Sequence, residues 1–174
     1  MSNAFVTLFV VALMLVAVMT WSQASFNSVD SGAQAWKEMT GIVEEVSRTD
    51  IEVTDAQIQA SFIQVFTHNS GEVNLAKFAN WDVLVQYYDG NSTYYVESLS
   101  YTANATPLDK QWTVAVIYSD ESLSQQEIFE PGVLSPGEVM MMKLKLNALP
   151  GAGTTNRVTL STPNGVVASK QFTG

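Results

Sequence analysis

His68, in the run HNSGE (68–72), is the only histidine among 174 residues, and no cysteine accompanies it. Any Ser-His-Asp relay or imidazole-bound metal would therefore have to use this residue. No nucleophile-elbow motif and no second metal-spaced ligand supports either chemistry, so His68 is expected to be a solvated turn residue. Asp89-Gly90-Asn91 resembles a fragment of a calcium loop, but the other oxygen ligands do not follow at the required spacing. A hairpin turn is its expected role. No glycine-rich phosphate loop occurs. The residue types thus assign no catalytic residue, cofactor or metal site, and an enzyme is not expected.

Two patterns suit modification or adhesion instead. Asn91-Ser92-Thr93 and Asn104-Ala105-Thr106 both fit the N-glycosylation acceptor pattern, making Asn91 and Asn104 candidate sites, with Pro107 an unhelpful neighbour of the second. In YYDGNSTYY (87–95), Tyr87, Tyr88, Tyr94 and Tyr95 flank a turn, so aromatic pairs are expected to face each other across two strands. Such pairs either stabilise the hairpin or offer a surface patch to neighbours or a glycan. The formal charge is −9, and the eight Lys and Arg are spread thinly from Lys37 to Lys170. With no basic cluster to neutralise phosphates, no nucleic-acid partner is expected.

The elements that carry these residues follow from periodicity. After Asp50 the apolar pattern has a period of two, and seven β-rich segments are expected: 57–67, 81–88, 93–101, 111–119, 138–147, 157–161 and 166–172. Trp112, Val114, Val116 and Tyr118 should share one side of their strand. Met140, Met142, Leu144 and Leu146 should share a side opposite Lys143 and Lys145. Turn signals separate the segments, and Asn164-Gly165 marks a closing hairpin. The stretch 118–129 reads as a loop or a short helix.

Before Asp50 the pattern is helical, and no charge occurs until Asp30. From Ala4 to Trp21 only Thr7 and Thr20 are polar, and as a helix this stretch spans about 27 Å, close to a bilayer's hydrocarbon thickness. With no polar face it must be buried all round, in lipid or in protein. A secretory signal and a simple anchor both want flanking Lys or Arg, and none is present. Beyond it, Val29, Ala33, Trp36, Met39, Val43 and Val46 continue an apolar seam, and Thr20, Ala24, Ser28 and Gly32 form a ridge of small side chains. Gly32 and Gly41 each weaken the helix by about 1 kcal/mol and are places for a kink. A long helix so exposed needs partners, and copies of itself are the simplest. The fold class is read as α+β, with a long hydrophobic N-terminal α-helix (residues 1–50) followed by an antiparallel immunoglobulin-like β-sandwich (residues 51–174).

AFVTLFVVALMLVAVMTW, its extension AWKEMTGIVEEV and a following β-sandwich together resemble the archaellin and type IV pilin-like superfamily of filament subunits. NSGEVNLAKFANWDVLVQYYDG and NRVTLSTPNGVVASKQFTG look like archaellin-type sheet segments. The resemblance implies a structural subunit of an extracellular, archaellum-like helical filament used for swimming. It implies that a prepilin-type peptidase removes a short basic leader. The helix then waits in the cytoplasmic membrane until an assembly ATPase and platform pack it among identical copies. The candidate helix-packing positions are Phe5, Leu8, Phe9, Val11, Leu13, Leu15, Val18, Trp21, Ala24, Ser28, Gly32, Trp36, Met39 and Val43. Type IV pilins carry Glu at the fifth mature position, and Phe5 in its place favours the archaellin branch. The alternatives are an adhesive type IV pilus-like pilin, or a membrane-anchored β-sandwich acting as a binding or stator protein.

Overall fold

No proline precedes Pro107, and nothing in the first fifty residues forces the backbone out of helical geometry. The computed structural model describes the backbone of residues 2–174 and the side chains of residues 5–23 and 32–174. Helix α1 runs from Ser2 to Arg48, 47 residues, about 70 Å at the usual rise per residue. Gly32 and Gly41 lie within it and do not end it. The chain divides into two compact units, Met1–Glu44 and Glu45–Gly174.

The second unit holds eight strands, not the seven expected. They are β1 (Glu52–Gln59), β2 (Phe62–His68), β3 (Asp82–Tyr88), β4 (Tyr94–Tyr101), β5 (Gln111–Tyr118), β6 (Val139–Lys145), β7 (Thr155–Ser161) and β8 (Val167–Thr173). The extra strand comes from the segment 57–67, which turns back on itself: Gln59 pairs with Phe62 across Ala60 and Ser61. Ala60 makes this turn at φ 54°, a left-handed conformation that costs an alanine energy and that a composition reading assigns to Gly or Asn. The strands run β1-β2-β6-β5 and β4-β3-β7-β8, joined where β4 meets β5. This is the two-sheet arrangement of the immunoglobulin fold, ABED against CFG with one added strand beside C. The β4–β5 junction is a short parallel pairing of Ser100 with Gln111 and Tyr101 with Trp112; every other pairing is antiparallel. At the far edge β1 lies beside β8.

The core forms where the inward residues of both sheets interdigitate. Val83 and Val85 of β3, Val158 and Leu160 of β7, Val65 of β2 and Trp112 of β5 are fully buried. Met140, Met142 and Leu144 are buried as their alternation requires, with Leu146 just beyond. Strand β5 departs from its expected pattern. A bulge between Val114 and Val116 inserts one residue, so the inward phase passes from Trp112 to Ile117, and Val116 and Tyr118 leave the core side. Lys145, on the outer side of β6, lays its ammonium 5.3 Å from the Phe62 ring centre and donates to the Ser61 carbonyl at 3.1 Å.

The HNSGE segment organises the entry into the sandwich. Asn69 is fully buried; its Nδ2 donates to the Val73 and Leu134 carbonyls at 2.8 and 2.9 Å, and its Oδ1 accepts from the Gly71 amide at 3.2 Å. Next to it, the Gly71 and Glu72 amides donate to the Asp50 and Arg48 carbonyls, and Arg48 pairs with Glu72 at 3.2 Å. Gly71 is required here, because a Cβ would lie 2.4 Å from the Asp50 amide nitrogen. Asn69→Leu removes three hydrogen bonds and leaves the Val73 carbonyl without its partner, while the Leu134 carbonyl keeps the Leu75 amide and the Gly71 amide keeps the Asp50 carbonyl. It is expected to lower the unfolding free energy by about 1–3 kcal/mol in urea titrations. A change below about 0.5 kcal/mol would show that solvent replaces those partners.

Candidate assembly surface

Among its described residues the first unit presents exposed apolar side chains. Phe5–Gln23 has a mean hydropathy of 2.3 and none of it is buried, which makes it long and apolar enough to cross a membrane. Leaving a large apolar side chain in water forgoes roughly 1.5–3 kcal/mol, and Phe5, Leu8, Phe9, Val11, Leu13, Leu15, Val18 and Trp21 are all exposed. Phe5 is 81% accessible. Within this stretch Thr20 hides its hydroxyl from an apolar environment, since Oγ1 donates back to the Val16 and Ala17 carbonyls. The chemistry of this surface is exclusion of water, with no group that titrates.

Further along α1, Trp36, Met39, Thr40 and Val43 line one shallow apolar depression, the i, i+3, i+4, i+7 stripe of one helix face. Trp36 is 73% exposed. A Cβ built at Gly32 meets nothing within 4 Å. Two of the candidate packing positions, Ala24 and Ser28, have side chains outside the described residues. The helix brings the others onto one rod.

The residues with chemical potential are dispersed. His68 is not a solvated turn residue: it closes β2, its side chain is only 13% accessible, and Nε2 lies 3.3 Å from Glu121 Oε1. Among the described residues no group of three His, Asp or Glu could hold a metal. The stretch 118–129 is a loop, not a helix, tied by the Asp120 carboxylate, which accepts from the Ser122 and Ser124 hydroxyls and from the Ser124 amide. Those hydroxyls, first Ser122 and then Ser124, lower Asp120 to a pKa of about 2. The sign follows: a carboxyl more acidic folded than unfolded stabilises the loop above its ordinary range and loses that contribution as pH falls through about 2. The Ser124 amide is therefore expected to keep its exchange protection from pH 6 down to about pH 3, and Asp120→Ala to lose it throughout.

Asn91 and Asn104 are both exposed. The tyrosines pair as the turn implied, Tyr87 with Tyr95 at 5.3 Å and Tyr88 with Tyr94 at 5.1 Å. The first pair lies on the core side, where burial and then the Glu97 carboxylate raise the Tyr87 phenol well above its ordinary pKa. Ile128 and Phe129 protrude from the 118–129 loop, Phe129 at 86% exposure. Periodicity gave no hint of them, because an apolar pair inside a polar loop has no repeat.

No protein-family model matches the sequence, and no curated protein matches it either. Solved structures do match. The archaellum periplasmic stator protein FlaG from Sulfolobus acidocaldarius is 20% identical with a TM-score of 0.51, and the match covers 71% of this chain and 99% of that one. The complex of the stator proteins FlaF and FlaG from the same organism gives 20% identity, a TM-score of 0.50, and coverage of 70% and 87%. The archaeal flagellin FlaB1 from Methanocaldococcus jannaschii is 14% identical with a TM-score of 0.51, covering 72% of this chain and 89% of that one. The fold is therefore one that this flagellin and the stator protein share in their matched parts, and here it is an eight-stranded, mostly antiparallel sandwich that follows an apolar N-terminal helix. At these identities the likeness is one of fold.

Proposed function

We propose that this chain is a structural, non-enzymatic subunit of an archaellum-like assembly, and specifically an archaellin-like subunit of an extracellular helical filament used for swimming. Residues 1–50 reside in the cytoplasmic membrane before assembly and form the filament core afterwards, while residues 51–174 face outward. The observation that carries this reading is the 19-residue apolar stretch Phe5–Gln23 with no buried side chain. Lipid shelters it first and copies of itself shelter it later. Because both surroundings are apolar, the transfer gains little hydrophobic energy. Close packing at Gly32 and along the Trp36–Val43 seam stabilises the product, and a prepilin-type peptidase and an assembly ATPase are the machinery this route calls for.

A second reading, a stator protein anchored by the same helix, is favoured by the higher identity to the stator protein, 20% against 14% for the flagellin, and by its 99% coverage. Electron microscopy of material sheared from cells, decorated with antibody to the β unit, separates the two. Helical filaments labelled along their length are expected. Unlabelled filaments with all label in the membrane fraction would overturn the filament reading in favour of the stator. Deleting the gene is expected to abolish swimming; lost attachment with intact swimming would point to adhesion.

A further inference from the structure

The outward face of β4-β3-β7-β8 carries a polar row that strand register assembles from three distant segments. Gln86 of β3 stands opposite Arg157 of β7, and Arg157 opposite Gln171 of β8, so two amides flank one guanidinium. Among the described residues Arg157 has no salt bridge, in a chain of net charge −9. Gln86, Arg157 and Gln171 line a depression of about 220 Å³ together with Tyr94, Thr155 and Asn156. Tyr94 belongs to the outer pair with Tyr88, and the two rings are 50% and 44% exposed. Aromatic faces beside planar donors and acceptors match a pyranose, whose C–H face is apolar and whose rim is hydroxyl or carboxylate.

The hairpin between β3 and β4 supplies the other half of the argument. Asp89 Oδ1 accepts from the Asn91 and Thr93 amides, both at 2.8 Å, which fixes the turn and leaves Asn91 exposed at its tip. Asn91 is three residues from Tyr88 and three from Tyr94. The Gln86–Arg157 row lies two residues further down the strands, about 7 Å, within reach of a second sugar. We propose that this face seats a saccharide chain attached at Asn91, with a pyranose ring on Tyr88 and Tyr94 and its oxygens received by Arg157, Gln86 and Gln171. Asn104 has no comparable platform, because the nearby Tyr101 ring is turned against Trp112 at 5.0 Å.

The proposal rests on the outward placement of the β unit given under Proposed function. Its test uses full-length protein from its native cells, with Asn91→Gln made in the parent, in Tyr94→Ala and in Arg157→Gln. Mass spectrometry of the Asn91 peptide should find a glycan. Its removal should lower the melting temperature of the parent by about 2–4 °C, and by much less in the two platform variants. Arg157→Gln keeps the aromatic pair, so it controls for damage to the hairpin by Tyr94→Ala. A bare Asn91, or an equal drop in all three backgrounds, overturns the proposal. Labelled filaments with a bare Asn91 would sink this inference alone, whereas label confined to membranes sinks the functional reading.

Discussion

Gly32→Trp is expected to abolish assembly while leaving the unfolding of the β unit unchanged. In the single chain a Cβ at Gly32 meets nothing within 4 Å, so the first atom of the new side chain meets no obstruction. The helix itself gains, since glycine in a helix interior is worth up to about 1 kcal/mol less than other residues. In a bundle the situation reverses. Helix axes approach to roughly 8–10 Å, and closer where small residues meet, which leaves no room for an indole. Sedimentation of assembled material and thermal unfolding by circular dichroism measure the two sides separately. Gly41→Ala is the companion variant: it is also unobstructed and should stiffen the helix with little effect on packing. Filaments of normal yield and length from the Gly32→Trp chain would refute close helix contact at this position.

Trp112→Ala should destabilise the sandwich by about 3–5 kcal/mol, the range for truncating a buried large aromatic. Trp112 is fully buried on β5 and meets the Tyr101 ring edge-on at 5.0 Å. Both residues also make the short parallel junction that joins the sheets, so the cavity would open beside the least reinforced pairing in the molecule. Trp112→Phe is expected to cost much less, about 1–2 kcal/mol, because the indole Nε1 has no protein partner and no hydrogen bond is lost with it. Urea denaturation of the detergent-solubilised chain provides both values. Equal losses for the two variants would mean that the nitrogen, and not the ring volume, matters.

The parts of this fold that were legible in the sequence are those set by local pattern. A proline-free run with apolar residues every three or four positions specified α1, and Asn164-Gly165 and Asp89-Gly90-Asn91 marked two hairpins through residues suited to turns. The parts that were not legible depend on contacts made elsewhere. Ala60 takes a left-handed turn because the flanking strands pair across it, so alternation alone read straight through from Gln57 to Thr67. The β5 bulge is invisible for the same reason: one inserted residue leaves the apolar content unchanged and shifts only its phase. His68 lay in a polar run, and its neighbour Glu121 comes from a loop far along the chain. The tyrosine pairs could be anticipated from their symmetry about the turn. The company of Arg157 could not, since Gln86 and Gln171 reach it through registers that no single segment contains.

The seams of the sandwich have a mechanical corollary. With β4 joined to β5 over two residue pairs and β1 lying beside β8, the rims of the two sheets sit next to each other and each partly covers the other. Neighbouring molecules thus have less room for the kind of templated hydrogen bonding by which donor-strand fibres and cross-β aggregates grow. Any polymer made from this chain is a masonry of finished bricks. Detergent that dissolves the mortar between the rods should hand back intact, reusable monomers.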